Sequence, residues 1–116
     1  MPTIATNNEI ATVIAIFNVE PEKQQELLDN MSEFAKTLKQ QPSFVSANFH
    51  KSLDGLKVAN YAQWKTKEDF ENFIKNPQVL QKVSKIIEKN FDSHVYEVVI
   101  SESKEGIPEI NNKYIY

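Results

Sequence analysis

The spacing of apolar residues changes period several times along the chain, and each change marks an element. From Ile10 to Val19 the apolar run is nearly continuous and rich in β-branched side chains, which predicts an internal strand covered on both faces. Pro21 then stands where the first turn of a helix tolerates proline. Leu27, Leu28, Met31, Phe34, Ala35 and Leu38 follow at helical spacing, giving a helix of about 18 residues with one apolar stripe. Pro42 stops it.

Ser43 to Ser52 and Lys57 to Lys65 read as two strands, with Asp54-Gly55 between them as a tight hairpin turn. Thr66 and Asp69 have capping-box spacing at the start of a short helix carrying Phe70, Phe73 and Ile74. Asn76-Pro77 restarts the helix with a good N-cap and a proline at its first position, and Leu80, Val83, Ile86 and Ile87 form its stripe. Ser93 to Ser101 completes the pattern as a fourth strand.

Strand, helix, strand, strand, broken helix, strand is the order of a split β-α-β, ferredoxin-like α+β domain. It predicts a four-stranded antiparallel sheet with helices on one face. The domain spans residues 10–101, with an extended N-terminal arm over 1–9 and a polar tail over 102–116 that ends Tyr114-Ile115-Tyr116. On the third strand Val58, Asn60, Ala62 and Trp64 share one face, and Ala59, Tyr61 and Gln63 the other. Neither face is plainly polar, yet one layer of helices covers only one. The second is expected to pack on an identical subunit, because two-fold homodimers are the commonest assembly.

Composition narrows the chemistry. The chain has 116 residues and no cysteine, which excludes disulfides, thiol nucleophiles and cysteine-based metal sites. All 13 basic residues are lysines; against 16 acidic residues they give a net charge of −3, with no clustered basic surface for nucleic acid and no guanidinium to clamp a carboxylate or phosphate. Gly55 and Gly106 are the only glycines, so no glycine-rich loop exists to cradle a nucleotide, flavin or nicotinamide phosphate. No run approaches the length of a membrane span, and the polar first nine residues do not read as a signal peptide, so a cytoplasmic protein is expected.

Candidate chemistry falls on few residues. Asn60 can donate to and accept from a bound phenol or carbonyl oxygen, and Trp64 offers an aromatic wall and one N–H donor. The plainer alternative is a core tryptophan and an amide tied to backbone. His50 and His94 are the only side chains that ordinarily titrate near neutrality, and His50 is the candidate general base. Their placement gives no metal-ligand spacing. Asn48 reads as a paired strand amide, while Phe49, Tyr61 and Tyr96 read as sheet packing. Glu68-Asp69 is explained by the dipole of a helix's first turn.

The stretch from Gln41 to Gly55, QPSFVSANFHKSLDG, followed by VANYAQW over 58–64, closely resembles the antibiotic biosynthesis monooxygenase family. The likeness extends over about residues 10–101. It implies a dimeric α+β barrel and oxidation of polycyclic phenols or anthrones to quinones by molecular oxygen, without flavin, haem or metal. In such enzymes the asparagine and tryptophan matching Asn60 and Trp64 lie in the substrate pocket. Asn60 would orient a substrate oxygen and favour its anion, and Trp64 would pack against the rings. Some members also use an arginine, for which Lys82 or Lys85 is the available substitute here. Haem-degrading relatives bind iron through a helical histidine, and residues 66–91 contain none. The alternative function is a noncatalytic, small-ligand-binding dimer of the same fold.

Overall fold

A computed structural model describes residues 10–84, 86 and 91–104. The arm over 1–9, the end of the tail, Lys85 and Ile87 lie outside the described residues. Strand β1 spans Ala11–Asn18, and helix α1 spans Gln24–Leu38 after a single 3-10 turn at Pro21–Lys23. Strands β2 and β3 are Phe44–Lys51 and Lys57–Trp64, helices α2 and α3 are Lys67–Lys75 and Pro77–Val83, and strand β4 is Phe91–Tyr96. The antiparallel sheet has the order β2-β3-β1-β4, as the split β-α-β reading requires. Among the described residues no helix is long and apolar enough to cross a membrane.

The two predicted helix starts form as their side chains dictate. Thr66 Oγ1 accepts from the Asp69 N–H at 3.0 Å, and Asn76 Oδ1 accepts from the Gln78 N–H at 2.9 Å. Asp69 also accepts from the Ser43 hydroxyl at 2.7 Å, which ties α2 to the start of β2. The core lies between sheet and helices: Ala11, Val13, Ala62 and Trp64 from the sheet meet Leu38, Phe73 and Val79 from the helices.

Three local features differ from the sequence pattern. First, the hairpin closes through the four residues Leu53–Leu56 rather than a two-residue turn. Ser52 and Lys57 still pair, because the Asp54 carboxylate accepts from the Leu56 N–H and the Ser52 hydroxyl, and Ser52 Oγ accepts from the Lys57 N–H. Gly55 has φ +83°, and a Cβ there would lie 3.1 Å from Pro21 Cβ, so the turn rests directly on the entrance to α1. Gln24 locks the same corner by donating to the carbonyls of Ser52 and Lys57 at 3.1 and 2.9 Å.

Second, β2 carries an irregularity between Phe44 and Ser46. Phe44 faces Trp64, yet Ala47 faces Ala62 and Phe49 faces Asn60, so Val45 is an extra residue that resets the alternation. Third, β4 begins at Phe91 and ends at Tyr96 instead of running from Ser93 to Ser101. Tyr96 already faces Thr12, and only Ala11 of β1 lies beyond it, so the ladder has almost run out of partner strand.

Two stability predictions follow from these ties. Gly55→Ala imposes a left-handed backbone on an L-residue and presses on Pro21, so it should destabilise by about 1–2 kcal/mol, read as a lower urea midpoint at constant m-value. An unchanged midpoint would contradict the turn geometry. Asp54 and Asp69 are held below the usual carboxylate range, the first chiefly by the Leu56 N–H and then Ser52, the second chiefly by the Ser43 hydroxyl and then Thr66. A depressed folded-state pKa contributes stability that is present above the unfolded value, about 3.9, and lost as pH falls through the folded value. Thermal midpoints should therefore fall on acidification through this range, less steeply in an Asp54→Asn/Asp69→Asn variant; parallel profiles would refute the assignment.

Candidate active site

Strand β3 is bonded on both edges, to β1 and to β2, and its alternation fixes which side chains meet the helices. Trp64 lies between Ala11 and Phe44, and Asn60 between Ala15 and Phe49, all on the helix-covered face. Four residues of strand separate the two by about 13 Å along the backbone. The indole is 2% exposed and has aromatic neighbours on three sides: Phe44 edge-on at 5.6 Å, Phe70 at 5.9 Å and Phe73 at 5.0 Å between ring centroids. Trp64 is therefore core and, at its outer edge, also wall.

That wall belongs to an open cleft of about 500 Å³ between the end of α1 and the α2–α3 segment, lined by Trp64, Phe73, Val79, Asp69, Thr37 and Lys82 among others. The volume falls within the roughly 300–1,000 Å³ of small-molecule sites. A neighbouring depression of about 290 Å³ includes Phe34 and Ile86 and shares Thr37 and Lys82. Lys82 Nζ donates to Thr37 Oγ1 at 3.2 Å across the boundary between the two. This contact joins residues 45 positions apart, and no local spacing announces it. It also separates the two lysine candidates: Lys82 lines the cleft, while Lys85 lies outside the described residues.

Asn60 lines neither depression. Its Oδ1 is buried with no hydrogen-bond partner among the described residues. Leaving a buried acceptor unmet costs about 1–3 kcal/mol, and this amide is not the backbone-tied strand amide of the plainer reading. Asn48 is: its Nδ2 donates to the Tyr61 carbonyl at 3.3 Å.

The histidines do not join this face. His50 is exposed and stands opposite Ala59, on the side of the sheet away from the helices, with Nδ1 3.1 Å from its own strand's Asn48 carbonyl. His94 is on the same far side, paired with Asp92 at 2.6 Å. Within one chain His50 thus cannot act with Asn60 and Trp64, because strand alternation points it the other way. Among the described residues no group of three or more His, Asp or Glu side chains is placed to hold a metal ion.

The far face is partly closed already. Gln63 is fully buried and Thr12 nearly so, and Gln63 Nε2 donates to Thr12 Oγ1 at 3.3 Å. Of the expected dimer face Ala59, Tyr61 and Gln63, the last has no surface left to offer a partner.

The family model described as antibiotic biosynthesis monooxygenase matches residues 10–84. The tetracenomycin-F1 monooxygenase of Streptomyces glaucescens is 41% identical over 80 residues, which cover 68% of this chain and 71% of that protein. Among solved structures, the cofactor-independent oxygenase SnoaB of Streptomyces nogalater superposes with a TM-score of 0.69 at 16% identity, over 87% of this chain and 99% of its own. A monooxygenase of Streptomyces coelicolor in complex with nanaomycin D gives 0.67 at 21% identity, over 81% and 90%. The last two likenesses concern the fold. The chain belongs to the antibiotic biosynthesis monooxygenase family.

Proposed function

We propose that the protein is a cofactor-independent monooxygenase that oxidises an aromatic phenol or anthrone with molecular oxygen, using Asn60 and Trp64. The observation that carries this reading is the unpartnered Asn60 Oδ1 on the helix-covered face. A substrate hydroxyl supplies the donor that the protein withholds. As that hydroxyl ionises, the Nδ2–H of the same amide can donate to the oxyanion, and low local dielectric strengthens the interaction. The electron-rich anion then reduces oxygen itself. For an anthrone, one oxygen atom replaces the two methylene hydrogens as a ketone, and the other leaves with them as water.

Family membership and the 41% identity to the tetracenomycin-F1 monooxygenase support this kind of chemistry. Trp64 offers a ring system an apolar wall at the cleft, where Lys82 is the available cation in a chain without arginine. His50 has no part in this scheme. The noncatalytic alternative is favoured by one observation, that the Asn60 Oδ1 is buried and the residue lines neither depression.

The protein acts as a homodimer in this reading, joined through the sheet face away from the helices. Tyr96 on that face is 43% exposed, and Val99 and Ile100, just beyond β4, are 75% and 81% exposed, an apolar surface that a partner would cover.

Asn60→Ala should lower oxygen uptake with an anthrone about 10²-fold while the protein stays folded. An unchanged rate would remove Asn60 from the mechanism; no uptake by the parent protein with any quinone precursor would favour the noncatalytic alternative. Light scattering at micromolar concentration should give twice the chain mass, and Tyr96→Asp should shift the population toward monomer. A monomeric parent protein would refute the dimer.

A further inference from the structure

The sheet face away from the helices carries both histidines of the chain. The titratable side chains that the four strands place on that face are His50, Lys57, Tyr61, Asp92, His94 and Tyr96. Phenols ordinarily ionise only at about pH 10, so below that the other four set the charge of the face. Lys57 Nζ donates to a neutral partner, Asn18 Oδ1, at 2.6 Å. His94 follows Asp92 by two residues on β4 and lies 2.6 Å from its carboxylate. His50 shares a row with Ala59, Ile16 and Asp92, which puts it three strand spacings, about 14 Å, from that carboxylate. With neutral imidazoles Lys57 and Asp92 cancel. With both imidazoles protonated the face gains two positive charges.

We propose that protonation of His50 and His94 dissociates the homodimer, making the far face a pH-sensitive switch of assembly. This rests on the dimer proposed above. A two-fold interface sets the same patch of each copy against the other, so the charge gained appears on both sides at once, whatever the register. Each charge must also be withdrawn from water when the partner covers it, which is costly without a counter-charge. His94 has Asp92 to compensate it; His50, among the described residues of its own chain, has no carboxylate beside it. The His50 Nδ1 lies 3.1 Å from the Asn48 carbonyl and can bond there only as a donor, so the incoming proton goes to Nε2. A face that disfavours the charged imidazole binds its proton more weakly in the dimer than in the monomer. Association is therefore strongest above the ordinary imidazole range, about pH 6.5, and is lost as pH falls through it. The whole chain moves the other way, because charging two histidines reduces its net charge from −3 to −1, which by itself favours association. The far face and the bulk charge thus predict opposite trends.

The test is sedimentation equilibrium of the full chain at constant ionic strength, from about pH 8 to about pH 5, with far-ultraviolet circular dichroism at each pH. The dimer Kd should rise about 10-fold or more over this range, with a limit of about 100-fold per pH unit for the two protons of a His50 pair, while the dichroism stays that of the folded chain. His50→Gln should remove most of the rise, and His50→Gln/His94→Gln should leave Kd flat. Asp92→Asn strips His94 of its counter-charge and should steepen the rise. A parent protein that is monomeric already at about pH 8 would remove the dimer itself. A parent dimer whose Kd does not change on acidification, or whose acid dissociation persists in the double variant, refutes the switch and leaves the dimer standing. Helical signal lost together with mass would make the dissociation plain unfolding, and the switch fails in that case too.

Discussion

The packing of one indole joins the two layers of this domain. Trp64 receives Phe44 from the neighbouring strand and Phe70 and Phe73 from α2, so the sheet and the helical segment share a single aromatic cluster. Truncating a buried aromatic of this size to alanine typically costs about 3–5 kcal/mol, a large part of the stability of a small domain. The same contact sets the position of α2 and, through Asn76, of α3, and with them the cleft that Lys82 and Thr37 bound. A loss of activity on changing Trp64 would therefore report mostly on folding. Asn60, whose amide does no visible structural service, is the cleaner reporter of chemistry.

The polar ties divide the molecule into a stiff corner and a lighter one. Where α1 enters, Gln24 holds two strand carbonyls, Ser52 and Asp54 close the hairpin loop, and Pro21 sits under Gly55. Across the cleft, beyond their apolar packing, α2 and α3 are each held among the described residues by one polar side-chain tie, Asp69 to Ser43 and Lys82 to Thr37, both at the surface. A rigid hairpin fixes β3, and β3 carries both residues of the proposed chemistry. The lighter contacts border the cleft.

Much of this was legible in the sequence because it depends on local signals. Prolines, caps and apolar periods located every element, and alternation on β3 correctly put Asn60 and Trp64 on one face. What failed depends on pairing. The end of β4 is set by where β1 begins, which no property of Val98, Val99 or Ile100 reveals. The hairpin loop is closed by side chains reaching past Asp54-Gly55, and the Lys82–Thr37 contact exists only once the helices are side by side. His50 is a candidate by residue type alone, and residue type says nothing about which side of a sheet a residue occupies.

The extra residue in β2 has a consequence for how this surface can vary. Phe44 and Phe49 differ in parity, and both face the helices only because Val45 is looped out of the alternation. Drawing Val45 back into a regular ladder would force a choice. Keeping Phe44 on the indole would turn Ser46, Asn48 and His50 inward and expel Phe49; keeping Phe49 beside Asn60 would strip the indole of its edge-on partner. The bulge thus separates an apolar lining of β2 from one that would carry an amide and an imidazole.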